Sequence, residues 1–250
     1  MESFRLARSA GVPYLELDVH LTADGHVVVI HDNSVSRTTG RRGRVERMSL
    51  SEIRRLDPGH EFTLDRGRSF PYRGKGLRIP TLEEVLQDFP EARFTVEIKK
   101  TRKRIGAAVL DVIRRCHAME RVLVASHEHQ HLQEFRSLDG DVPTSFSKSE
   151  VRGFLACVRG GDTSGYQAPG NALQVPEYFG LRRVTSVAFI EAAHRLGLEV
   201  HVWTVNEPVH MKRLLRWGVD GIMTDDPARA MASVAELAGV AEAVAPPGSD

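Results

Sequence analysis

The residues best placed to do chemistry are two pairs of charged side chains set in short apolar runs. Glu16 and Asp18 stand two apart in Tyr14-Leu15-Glu16-Leu17-Asp18-Val19. Side chains alternate along a strand, so the two carboxylates share one face while Leu15, Leu17 and Val19 share the other. Carboxylates this close repel, and burial raises the cost of each. A hard divalent cation with oxygen ligands would resolve the conflict; a strand end with solvated acids is the other reading. Glu97 and Lys99 repeat the spacing in Val96-Glu97-Ile98-Lys99. If the two strands are neighbours, Glu97 completes a three-carboxylate site. Lys99 beside a metal makes sense when an anion such as a phosphate lies between them; alternatively it is a strand-end lysine paired with Glu97.

His31-Asp32 follows another apolar run, residues 27–30. An imidazole at that point suits proton transfer near neutral pH. Asp32 would either fix its tautomer or cap the next turn. Trp203 ends a late strand, where it would wall a small polyol or pack into the core. His20 shares the face of Glu16 and Asp18 but falls beside the expected hairpin turn, a supporting position at best. His117, His127, His129, His131, His194 and His210 fall on expected helices or their starts and read as surface or packing residues. Cys116 and Cys157 have no metal-type spacing.

These groups need a scaffold. The chain has 250 residues, 41% of them hydrophobic, enough for one large domain with a sizeable core. It carries 34 basic against 33 acidic residues, so nothing in its charge calls for a nucleic-acid partner. No apolar run is long enough to span a bilayer and no secretory h-region opens the sequence, so the expected location is cytoplasmic. Ala23-Asp24-Gly25 between residues 14–21 and 27–30 predicts a hairpin. From residue 80 onward strands and helices alternate. Strands are expected at 93–99, 122–125, 142–146, 172–175, 199–204 and 221–224. Helices are expected at 102–116, 130–138, 149–158, 186–196, 208–217 and 227–237, and Thr81 should cap another that reaches Phe89. Such βα repeats imply parallel strands with helical crossovers. Counting the strand at residue 14 gives seven, whereas a closed barrel of this type has eight. The expected fold is therefore an α/β, TIM (β/α)8-type barrel whose first strand is missing from this chain. Residues 2–10 would be the end of the helix after that strand. Residues 34–78 read as a small insertion after the second strand, with a short helix at 49–56. The domain is expected to span 1–239, with a flexible tail at 240–250.

Several strings occur in one order: Tyr14-Leu15-Glu16-Leu17-Asp18-Val19, Leu21-Thr22-Ala23-Asp24-Gly25, His31-Asp32 with Arg37-Thr38-Thr39, Ile79-Pro80-Thr81-Leu82, Val96-Glu97-Ile98-Lys99, Trp203-Thr204-Val205-Asn206, and Gly218-Val219-Asp220-Gly221-Ile222 with Thr224-Asp225. Each is weak alone. Together, over about residues 5–232, they resemble the glycerophosphodiester phosphodiesterase family. The resemblance implies that Glu16, Asp18 and Glu97 bind one Mg²⁺ or Ca²⁺, that His31 is one of two catalytic histidines, and that Lys99 contacts the phosphate. It implies hydrolysis of a glycerophosphodiester to glycerol 3-phosphate and an alcohol. The family's opening His-Arg-Gly and Pro-Glu-Asn-Thr strings do not occur here. That departure carries the expectation that the chain as written is essentially inactive and that upstream sequence would rescue it. Two other readings stand beside this one: a lysophospholipase D-like phosphodiesterase, which needs an apolar groove for an acyl chain, and a non-catalytic relative that keeps phosphate binding.

Overall fold

The structure, a computed structural model, describes residues 1–101 and 103–244. It divides into two compact units, Met1–Arg5 with Pro13–Ser147, and Leu6–Val12 with Lys148 onward. Helix α1 (Glu2–Ser9) is shared between them.

The first unit is built on four strands. Strand β1 (Tyr14–Leu21) turns through residues 22–26 into β2 (Val27–Val29), with Gly25 at a φ of 87° in the turn. Three short helical pieces follow, including α2 (Ser36–Thr39) and α3 (Leu50–Ile53). Ser49 caps α3 and exchanges hydrogen bonds with Glu52, the reciprocal arrangement that satisfies two free donors at a helix start. Thr81 caps α4 (Leu82–Asp88), as the sequence predicts, and there exchanges the same pair of hydrogen bonds with Glu84. Then come β3 (Arg93–Ile98), α5 (Gly106–Arg115), β4 (Val122–Ala125) and α6 (His129–Leu138). Arg102, the expected first residue of α5, lies outside the described residues. The sheet order is β2-β1-β3-β4, and β1, β3 and β4 are parallel. Leu15, Leu17, Val19, Phe94, Val96 and Ile98 are buried, and so are Val85 and Leu86 of α4, Val109 and Ile113 of α5, and Leu132 and Phe135 of α6. Residues 34–78 carry their own small core: Val35, Val45 and Ile53 are buried with Val28 and Ile79, and Met48, Leu50 and Leu56 pack against them. That burial is what lets a segment without clean periodicity hold a shape.

The second unit begins with α7 (Lys148–Gly160), then β5 (Ala172–Pro176) and the short strands β6 (Tyr178–Phe179) and β7 (Arg182–Arg183). Next come α8 (Val187–His194), β8 (Glu199–Trp203), α9 (Pro208–Arg216), β9 (Gly221–Ile222) and α10 (Pro227–Val244). Strands β5, β8 and β9 form a parallel sheet in that order, and β6 and β7 pair as a separate antiparallel hairpin. Leu173, Val175, Val200 and Val202 of the sheet are buried, as are Phe154, Phe189, Ile190, Met211 and Leu214 of the helices. The expected tail is helical as far as Val244, and its residues 245–250 lie outside the described residues.

The expected barrel is not formed. Its strands are hydrogen-bonded into sheets of four, three and two, an α/β fold of small mixed sheets. A barrel with a strand missing still requires its remaining strands to follow one another in a single ladder. Here residues 142–146, expected as the fourth such strand, meet β4 through one parallel bridge, Val124↔Thr144. Pro143, in the middle of that run, has no N–H to extend the pairing. At the other edge of the sheet lies β2, which runs antiparallel to β1. Among the described residues no helix is long and apolar enough to cross a membrane.

Candidate active site

Parallel pairing of β1 with β3 places Glu16 opposite Thr95 and Asp18 opposite Glu97. Residues in register across a ladder share a face, so alternation along β1 and pairing to β3 bring all three acids together. One carboxylate oxygen from each of Glu16, Asp18 and Glu97 lies within 4.8 Å of the others. Lys99, the first residue after β3 and two on from Glu97, lies on the same face. Its Nζ is 2.8 Å from Asp18 Oδ1 and 3.0 Å from Glu97 Oε1. The sequence offered pairing with Glu97 alone; the ammonium bridges two carboxylates.

The electrostatics follow from that crowding. Burial pushes the Glu16 carboxyl up to about 8, and the Asp18 and Glu97 carboxylates push the same way against the pull of Lys99. Glu16 as a residue remains exposed, while its carboxyl is crowded by those of Asp18 and Glu97. At Lys99, burial works to lower the ammonium, but the hydrogen bond and charge of Asp18 and those of Glu97 outweigh it and hold the group above its ordinary value. Three carboxylates against one ammonium leave two negative charges in excess when all are ionised. That charge and an all-oxygen donor set fit one hard divalent cation.

His31 stands just past β2. The Ile30 N–H donates to the Asp18 carbonyl at 2.9 Å, which fixes the start of the His31 segment against β1. The His31 side chain is 65% exposed, and its Nδ1 is 2.7 Å from Asp32 Oδ1. Asp32 also accepts from Arg37 Nε at 2.6 Å. The Arg37 hydrogen bond, with that of His31, holds the Asp32 carboxyl down at about 2. Asp32 thus accepts from Nδ1–H and leaves Nε2 as the other ring nitrogen of an exposed side chain. Arg37 is a partner that the sequence reading does not assign; its signal is its place five residues after Asp32, at the start of α2.

His20 corrects an expectation. It is not at the turn but inside β1, buried, with Nε2 3.2 Å from the His31 carbonyl oxygen. His131 is buried and bonded to Ser126 Oγ and the Thr101 carbonyl, a packing residue as expected. Trp203 closes β8 in the second unit, half-buried and in register with Pro176.

Comparison with known proteins places the chain in a family. A family model described as the glycerophosphoryl diester phosphodiesterase family matches residues 1–229. A glycerophosphodiester phosphodiesterase from Caldanaerobacter subterraneus is 32% identical over 232 residues, 90% of this chain and 87% of the relative. One from Bacillus altitudinis is 30% identical over 237 residues, 92% of this chain and 90% of the relative. The crystal structure of a glycerophosphodiester phosphodiesterase from Agrobacterium tumefaciens superposes with a TM-score of 0.73 at 25% identity, covering 91% of this chain and 90% of that one. With a family match running through both compact units, the chain belongs to the glycerophosphoryl diester phosphodiesterase family.

Proposed function

We propose that Glu16, Asp18 and Glu97 hold one Mg²⁺ or Ca²⁺, that Lys99 faces the phosphate, that His31 transfers a proton, and that Trp203 walls the glycerol or alcohol part of the substrate. The chain is a phosphoric diester hydrolase acting on glycerophosphodiesters, and the reaction proposed is release of glycerol 3-phosphate and an alcohol. The observation that carries the metal reading is the three-carboxylate cluster with only one ammonium bound to it. A cation there supplies neutralisation of phosphate oxygens and orientation of the attacking hydroxyl or water. Lys99 would trade a carboxylate contact for a phosphate oxygen once the acids are otherwise neutralised. His31, its Nδ1–H held by Asp32, would accept or give a proton at Nε2. We treat residues 1–239 as one functional domain, because the family match runs from 1 to 229. A reducing, cytoplasmic setting belongs to the same proposal and rests on two cysteines, Cys116 and Cys157, both free.

The test is calorimetric titration of Mg²⁺ and Ca²⁺ into the wild type and Glu97→Gln, alongside turnover of glycerophosphocholine. Glu97→Gln removes one charge with little change in shape and is expected to weaken cation affinity by about tenfold or more. Equal affinity in the two proteins would take Glu97 out of the site.

A further inference from the structure

The β6–β7 hairpin of the second unit holds large apolar side chains out in water on a braced base. Phe179 pairs with Arg182 and Tyr178 with Arg183, so the loop between the strands is the two residues Gly180 and Leu181. Gly180 has a φ of 60°, as the first central position of a type II′ hairpin turn requires. The second position of such a turn is well served by Asn, Asp or Ser. Here it is Leu181, fully exposed, beside Phe179 at 71% exposure. The base is closed by the Val184 N–H donating to the Glu177 carbonyl at 2.9 Å. Arg183 Nε donates to the Tyr178 hydroxyl at 3.0 Å, and its guanidinium lies 5.3 Å from the Trp217 ring centre. Trp217 also receives the guanidinium of Arg213, which is bonded to the buried Glu177 carboxylate at 2.6 Å. The Glu177 carboxylate at the base is thus internally neutralised. Arg182 has no ion pair among the described residues and points its charge outward from the returning strand.

We propose that this hairpin is a membrane-surface contact, with Phe179 and Leu181 entering the acyl region of an anionic phospholipid bilayer and Arg182 and Arg183 at the level of its headgroups. Apolar side chains beside cations are what an anionic interface rewards: burial of the former, and charge attraction for the latter. A second copy of the chain is the poorer occupant. Symmetric pairing through the β7 edge would bring the Arg182–Arg183 strands of two copies together, like charge against like. The hairpin directly follows β5, whose last residue is in register with Trp203, so lipid contact would be made next to a residue of the proposed substrate wall. The inference rests on the hairpin and not on the metal reading, and vesicle binding without substrate keeps the two apart.

The experiment is co-sedimentation of the full chain with vesicles of equal phosphatidylcholine and phosphatidylglycerol, and with vesicles of phosphatidylcholine alone. The expected result is binding to the anionic vesicles that falls by about tenfold or more in Phe179→Ser/Leu181→Ser and weakens in Arg182→Gln. Leu181→Trp, which adds an emitting group at the tip without deleting apolar surface, should shift its fluorescence to the blue on adding anionic vesicles. No vesicle binding by the wild type, or equal binding by the double serine variant with no blue shift in Leu181→Trp, overturns the proposal. So does a dimer that the double variant disperses in the absence of any vesicle binding.

Discussion

The Nε2–H of His20 donates to the backbone carbonyl of His31 across 3.2 Å, tying the buried end of β1 to the residue that carries the exposed imidazole. Burial lowers the His20 pKa, against the opposing effect of that same bond, so the ring is neutral and its proton is committed to the carbonyl. His20 is predicted to act as a positioning residue for His31. His20→Phe, which keeps the bulk and loses the donor, should cost about 1–3 kcal/mol in urea unfolding and lower turnover by about tenfold. His20→Gln, which can donate from the same region, should recover part of both. Unfolding midpoints and kcat identical to wild type in His20→Phe would show that the bond positions nothing.

Glu16 makes the metal-free protein sensitive to pH. Its carboxyl moves from an ordinary 4.5 to about 8 in the fold, so between those values the folded state keeps a proton that the unfolded chain releases. Its contribution to stability is therefore complete below about 4.5 and is lost as pH rises toward 8. In a chelator, the wild type should lose melting temperature relative to Glu16→Gln as pH rises across that window. Added Ca²⁺ or Mg²⁺ should reverse the loss at the alkaline end, since a cation replaces the proton. Parallel melting curves for the two proteins in chelator would dismiss the idea.

His31 is expected to move protons rather than bind the cation. In a version of the enzyme that also carries the family's His-Arg-Gly string, His31→Ala should lower kcat by roughly 10²–10⁴-fold, the usual reach of general acid–base catalysis. Cation affinity by calorimetry should stay within about twofold of wild type, since the imidazole is no part of the carboxylate donor set. Asp32→Asn should lower kcat less, because Nδ1–H keeps an acceptor while the charge is lost. A variant at His31 that loses the cation yet turns over fully at saturating metal would reverse the assignment.

Trp203→Ala tests the substrate wall. A side chain that touches the non-reacting part of the substrate contributes equally before and during reaction, so KM should rise more than kcat falls. Cooperative unfolding should survive, because the residue is only half-buried at the end of β8. Loss of cooperativity without a KM effect would return Trp203 to the core.

What the sequence determined by itself was local. A step of two along a strand places Glu16 with Asp18 on one face, and a Thr81 followed by Glu84 starts a helix; both follow from backbone geometry within a few residues. The ordered strings that resemble the family were legible for the same reason. What only the tertiary structure decided depended on partners distant in the chain. Asp18 meets Glu97 because the β1–β3 ladder has one register, and a shift of one residue would have turned Glu97 to the other face. Lys99 bridges two acids, and Arg37 reaches Asp32, through that register and through the turn of α2. His20 is buried in β1 rather than set at the turn because its ring finds the His31 carbonyl as a partner, a contact that local pattern does not reveal. Closure of the strands was the expectation that failed. The sequence shows where an extended run occurs, but each run joins a ladder only if its own N–H and C=O groups find another strand in register, and residues 142–146 found a single bridge.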